Sequence, residues 1–119
     1  MRVGIIGGGF MGEAFLRGLL RAEVAAPAEV AVADVSATRR TALTKHGVRV
    51  TDDAESVCIG AEVVLIAVKP QDFETAAQGL RGAISTSAVL ISIAAGIRLA
   101  EVQRDTGHHA SVRVMPWRS

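Results

Sequence analysis

The chain has 119 residues, half of them apolar and 21% charged, with thirteen Lys and Arg against twelve Asp and Glu for a formal net charge of +1. That composition fits one globular domain, and without a basic run or an aromatic-interleaved basic patch it argues against a partner made of nucleic acid or acidic membrane. A single cysteine, Cys58, excludes an internal disulfide and belongs to no Cys/His grouping of zinc-ligand spacing, so a reducing, cytoplasmic setting is expected.

Arg2 to Ile6 is a short apolar run that stops at Gly7-Gly8-Gly9, as a buried strand entering a tight turn does. It follows no basic leader, so a signal peptide is not expected. From Met11 the small or apolar residues Met11, Ala14, Phe15, Gly18 and Leu19 share one helical face, while Glu13, Arg17 and Arg21 form a polar ladder opposite. After Pro27, Glu29 to Ala33 reads as a second strand ending at Asp34. Ser36 caps a helix running to His46, with Gly47 as its stop.

Val48 to Val50 is a third strand, Thr51 to Ser56 opens a short helix, and Glu62 to Val68 is a nearly continuous apolar strand closed by Lys69-Pro70. The next helix carries Phe73, Ala76, Ala77 and Leu80 on one face. Ala88 to Ile93 is a fifth strand, Leu99 to Arg104 a short helix, and Ser111 to Val114 a last strand. The longest apolar runs fall far below the roughly 20 residues that cross a bilayer, so no membrane association is expected. Strands alternating with helices predict an α/β fold: a doubly wound, mainly parallel six-stranded sheet with helices on both faces. A core of Val, Ile, Leu and Ala suits it, since the chain has three Phe, one Trp and no Tyr.

Gly7, Gly9 and Gly12 spell G-x-G-x-x-G between a predicted strand and a predicted helix, with an acidic residue, Asp34, about twenty residues on. In a Rossmann-type loop the first glycine makes the tight turn, the second lets backbone approach a pyrophosphate, and the third packs helix on strand. The helix N-terminus beyond offers N–H groups and a positive dipole end to phosphates. Asp34 can accept from an adenosine ribose, which favours NAD. Ser36, Arg39 and Arg40 can turn to the same place and accept a phosphate, which favours NADP, so the dinucleotide stays open. Lys69 lies at the end of a strand, at the sheet edge where such folds bind ligands, or is a plain solvated lysine. Cys58 reads as a small buried hydrophobe, and His108 and His109 as neighbours in a polar loop without a third metal ligand.

The stretches Val3 to Gly12, Ala67-Val68-Lys69-Pro70-Gln71, Ile91-Ser92-Ile93-Ala94-Ala95-Gly96-Ile97 and Val112-Arg113-Val114-Met115-Pro116 resemble, in order and spacing, the pyrroline-5-carboxylate reductases of proline synthesis. The resemblance implies an NAD(P)-binding Rossmann domain over residues 1–116 and a non-family tail over 117–119. It implies that Ile6, Gly7, Gly8, Gly9, Phe10, Met11 and Gly12 line the dinucleotide phosphates and that Asp34 and Ser36 lie by the adenosine ribose. Ala67, Val68, Lys69 and Pro70, with Ile93, Ala94 and Ala95, would reach toward the nicotinamide.

The implied activity is hydride transfer from NADPH or NADH to the imine carbon of a small cyclic substrate. Phe10, Gly12 and Ala54 depart from the family's usual Asn, Ala and Asn. The family continues beyond Met-Pro into a helical domain that builds a dimer and closes the substrate site, whereas this chain reads Trp117-Arg118-Ser119. The expectation is therefore a dinucleotide-binding unit, self-associating as a homodimer and incomplete for catalysis alone, with no catalytic acid assigned. The glycine loop is also similar to that of 3-hydroxyacid dehydrogenases, and a non-catalytic nucleotide sensor or scaffold is the reading from another class.

Overall fold

The computed structural model describes residues 1–93, 96–108 and 111–113. Its strands are β1 (Val3–Ile6), β2 (Val30–Ala33), β3 (Arg49–Thr51), β4 (Val63–Ile66), β5 (Val89–Ser92) and β6 (Ser111–Arg113). Its α-helices are α1 (Phe10–Arg21), α2 (Ala37–Leu43), α3 (Ala54–Cys58), α4 (Phe73–Gln78) and α5 (Leu99–Thr106). The strands form one sheet in the order β3-β2-β1-β4-β5-β6, every pairing parallel. Sequence order runs outward from β1 to β3 and then restarts at β4, so the chain reverses direction across the sheet between β1 and β4. In such sheets ligands bind at that reversal, beyond the carboxyl ends of the strands.

Register explains the two layers of helices. Ile5 pairs with Val32 and Leu65, placing these side chains on one face, while Ile6 pairs with Ala33 and Ile66 on the other. The first face packs with Leu16 of α1 and Leu43 of α2. The second packs with Val57 of α3, Phe73 and Ala77 of α4, and Val102 of α5. Strands covered on both faces must be apolar at nearly every position, which is why they read as runs rather than as alternations.

Several boundaries differ from those read in the sequence. The α-helix after Ser36 ends at Leu43, and Thr44–His46 continues as a 3-10 turn in which the Thr44 hydroxyl donates to the Thr41 carbonyl (2.6 Å). Gly47 stops it in the left-handed region (φ 74°). Glu29 belongs to a 3-10 turn after Pro27, because its carboxylate accepts from the Ala26 N–H and the Met1 ammonium. β3 extends to Thr51, so the short helix starts later and takes Asp53 as its cap, which accepts from the Ser56 N–H.

His108, in the polar loop after α5, is buried, with Nε2 donating to the Ala88 carbonyl (2.6 Å). His109, Val114, and the tail at 117–119 lie outside the described residues. Among the described residues no helix is long and apolar enough to cross a membrane.

Candidate functional site

β1 ends in the glycine loop, and the loop's geometry is set by two contacts. Gly7 has φ 101°, a conformation that side chains rarely adopt, and a Cβ there would lie 2.8 Å from the Ala67 carbonyl oxygen. A Cβ on Gly12 would overlap the Gly7 carbonyl oxygen, so α1 sits directly on the turn. Gly9 differs: a Cβ there would meet nothing within 4 Å. Gly9 is also the N-cap of α1, and among the described residues no side chain caps the helix. Among the described residues, the start of this twelve-residue helix therefore has no side-chain cap on its first N–H groups, and the space beside Gly9 is open. That is the local chemistry of an anion cradle.

The loop borders a cleft of about 780 Å³ beyond the carboxyl ends of β1, β2 and β4. Ile6, Gly7 and Gly9 line it from the loop; Ala33, Asp34, Val35, Ser36 and Arg39 from the end of β2 and the start of α2. Ala67, Val68 and Lys69 line it from the end of β4, with Asp72, Thr75 and Ala76 behind them and Asp52 and Ala54 at one end. A smaller recess of about 210 Å³ lies at the opposite edge, around Arg2, Glu29 and Arg49. Only the larger cleft combines the topological reversal with the helix N-terminus.

Of the residues singled out in the sequence, the fold thus gathers Ile6, Gly7, Gly9, Asp34, Ser36, Ala67, Val68 and Lys69 around one space. Gly8, Phe10, Met11, Gly12, Pro70 and Ile93 do not line it. Gly8 is buried and its N–H is committed to Asp34; Gly12 is packed on Gly7; Phe10 is 80% exposed; Pro70 begins an exposed 3-10 turn; Ile93 is buried in the core. Ala94 and Ala95 lie outside the described residues. Val35, Asp52, Asp72, Thr75 and Ala76 had no motif to mark them, and only the packing of β3 and α4 beside the loop brings them in.

The polar groups at the β2 end form a connected set. Asp34 Oδ2 accepts from the Gly8 N–H (2.7 Å) and Oδ1 from the Ser36 N–H (2.8 Å), so this carboxylate ties the glycine loop to the β2 turn. Ser36 Oγ accepts from the Arg39 N–H (3.2 Å). Arg39 Nε donates to the Gly8 carbonyl (2.8 Å) and its Nη2 to Glu13 Oε1 (2.9 Å). Arg40 turns elsewhere, with Nη1 donating to the Asp34 carbonyl.

Glu13, part of a polar ladder along α1 in the sequence, faces α2 and the turn after it. Its Oε2 lies 2.8 Å from His46 Nε2 and 3.7 Å from Lys45 Nζ. The hydrogen bond to His46, then that to Arg39, hold its carboxyl down at about 2. Partners 26 and 33 residues away leave no local pattern in the sequence. Cys58 is fully buried and its thiol is pushed up to about 11, chiefly by burial and then by the Glu55 charge, so it behaves as core.

Residues 2–96 match the family described as NADP oxidoreductase, coenzyme F420-dependent. The chain belongs to this family. It is 39% identical over 117 residues to a pyrroline-5-carboxylate reductase of Synechocystis, covering 98% of this chain and 43% of that protein. Among solved structures, a pyrroline-5-carboxylate reductase from Coxiella burnetii superposes with a TM-score of 0.87 at 27% identity, covering 97% of this chain and 43% of the other. The Plasmodium falciparum pyrroline carboxylate reductase, solved with NADP bound, has a TM-score of 0.81 at 21% identity over 98% of this chain and 42% of its own. The chain thus spans less than half the length of these relatives and carries an α/β Rossmann-type domain of an NADP-dependent oxidoreductase family.

The residues present fit a dinucleotide. The open space at Gly9, the uncapped start of α1 and the neighbouring Arg39 and Lys69 provide for phosphates, and Val35, Ala54, Ala67, Val68 and Ala76 supply apolar walls for rings.

Proposed function

We propose that this chain holds a reduced nicotinamide dinucleotide across the carboxyl edge of its sheet, as the cofactor-binding part of a pyrroline-5-carboxylate reductase-like enzyme. The observation that carries this is the empty volume at Gly9, facing a helix start that no side chain caps and opening into the cleft at the β1–β4 reversal. Gly7, Gly9 and the first turn of α1 would receive the pyrophosphate. Asp34, Ser36 and Arg39 would surround the adenosine ribose, and Ala67, Val68 and Lys69 would flank the nicotinamide. When bound, the cofactor supplies a hydride, here for the carbon of a cyclic C=N bond.

The chain's own part is to bind and orient. Hydride transfer needs the reacting carbons held about 3–3.5 Å apart, which supplies roughly 7–11 kcal/mol of the barrier. The wall beyond Lys69 is exposed, and Asp72 and Thr75 behind it are exposed too. We therefore assign the complete reaction to a fuller enclosure than these residues make, and expect slow or no turnover from this chain alone. Phe10, 80% exposed at the start of α1, and Val35, 92% exposed at the cleft, favour self-association. We further assign residues 1–116 as the cofactor domain, in a cytoplasmic location.

Calorimetric titration with NADPH and NADH, on the chain and on Gly9→Val, is the test. Binding should be measurable in the unaltered chain and fall by about a hundredfold or more in the variant, with the thermal midpoint little changed, because a Cβ there enters open ligand space and meets no protein atom within 4 Å. Equal affinity in a folded Gly9→Val protein would refute the loop assignment. Oxidation of NADPH in the presence of the cyclic imine tests turnover.

A further inference from the structure

Arg39 carries its charge on a planar fork whose donors are already partly assigned. Nε and Nη2 lie on one side of the guanidinium, and that side is taken by the Gly8 carbonyl (2.8 Å) and Glu13 Oε1 (2.9 Å). Among the described residues, no hydrogen bond or ion pair engages Nη1, and the residue lines the cleft beside Asp34 and Ser36. The remaining end-on edge of a guanidinium matches two oxygens of a phosphate. Glu13 Oε1 is given over to Arg39 while Oε2 takes His46 and Lys45, so each carboxylate oxygen has its own partners.

From this geometry we infer that Glu13 is a positioning residue for dinucleotide selection: it clamps the side-on edge of Arg39 so that the end-on edge is presented to a phosphate on the adenosine ribose. The inference rests on the dinucleotide reading above and extends it to the choice between NADPH and NADH. Holding the fork in place removes the rotamer freedom a free arginine would lose on binding. The same carboxylate also offsets part of the Arg39 charge, so geometry and charge make opposite predictions for its removal. Asp34 keeps its charge beside this edge, but the Gly8 and Ser36 N–H groups that it accepts hold the carboxylate in place and offset part of that charge.

The test is the ratio of NADPH to NADH dissociation constants, by calorimetry, for the unaltered chain, Glu13→Leu, Glu13→Gln and Arg39→Lys, each with its unliganded thermal midpoint. The unaltered chain should favour NADPH by about tenfold or more. Glu13→Leu should reduce that preference by about fivefold to tenfold while NADH affinity stays within about twofold. Glu13→Gln, which keeps one acceptor oxygen, should fall between the two. Arg39→Lys, which loses the fork, should match or exceed Glu13→Leu, and Glu13→Gln carries the test if Glu13→Leu does not fold.

A ratio that does not move in Arg39→Lys or in the folded Glu13 variants overturns the inference. So does a parallel loss for both dinucleotides, or a tighter NADPH complex in Glu13→Leu, which would mean that charge outweighs positioning. Failure of the unaltered chain to bind either dinucleotide would instead bring down the dinucleotide reading and this inference with it.

Discussion

The two walls of the cleft are built differently. On the α1–α2 side, Gly8, Asp34, Ser36, Arg39, Glu13 and His46 are joined by hydrogen bonds that run without a break from the glycine loop to the turn after α2. On the β4–α4 side, Lys69, Asp72 and Thr75 line the same space, yet among the described residues no side-chain hydrogen bond or ion pair ties them down. The first wall is tied together by hydrogen bonds before any ligand arrives, which suits groups of fixed shape such as phosphate and ribose. The second keeps side-chain freedom and offers apolar surface from Ala67, Val68 and Ala76, which suits a flat ring and an approaching substrate.

Breaking the rigid wall at its foundation should have the largest effect. Gly7→Ala adds a Cβ 2.8 Å from the Ala67 carbonyl oxygen at a residue with φ 101°, and the backbone on the other side is fixed by the Gly7 N–H donating to the Ala33 carbonyl. Backbone strain and overpacking together should cost about 3 kcal/mol or more, read as a lower denaturant midpoint. Asp34→Ala comes next. It strands the Gly8 N–H, which belongs to a buried residue, and frees the Ser36 N–H, for a loss of about 1–3 kcal/mol. Both dinucleotides should weaken together, because the loop they share relaxes.

Acid should loosen the same wall through Glu13. Its carboxyl titrates at about 2 in the folded chain against an ordinary value of 4.5, because the folded state hydrogen-bonds the ionised form to His46 and Arg39. A lowered folded value means that this stabilisation is fully present above about pH 4.5 and is lost as the pH falls toward about 2. Arg39 is partly exposed and Lys45 exposed, so after solvent screening the part lost should be about 1 kcal/mol. Unfolding curves from pH 7 down to pH 2 should therefore show a steeper acid loss for the unaltered chain than for Glu13→Gln. Parallel curves would show that the cluster does not brace the wall.

The contrast also explains what the sequence could say. Apolar runs such as Val63 to Ile66 announce buried strands, and the glycines with Asp34 announce the loop and its distance to the second strand, because both signals are local. The parallel arrangement follows from the alternation of strands and helices. Asp34 was legible as a site residue, but its bond to the Gly8 N–H was not, since 26 residues separate them. Glu13 is out of reach for the same reason: spacing along α1 aligns it with Arg17, and only the packing of α2 and the turn after it brings Arg39, Lys45 and His46 to its carboxylate. On the flexible wall, Asp72 and Thr75 belong to an ordinary turn and helix start, with nothing in their spacing to separate ligand-facing from solvent-facing positions.

Lys69 gives the smallest effect and the sharpest check on that flexible wall. Its side chain is exposed and its backbone carbonyl accepts from the Asp72 N–H, so the turn it opens is held by main chain rather than by the ammonium. Lys69→Met keeps the aliphatic stem and removes the charge, and should change stability by less than about 0.5 kcal/mol. A single exposed charge acting on an anionic ligand through water is worth about 1 kcal/mol at close range and less with screening. The variant should therefore bind NADPH about two- to fivefold more weakly in dilute buffer, with the difference fading as salt approaches about 1 M, where the Debye length is about 3 Å. A loss that persists undiminished at high salt would mean that Lys69 makes a fixed, desolvated contact, and the two walls would then be alike in rigidity rather than different.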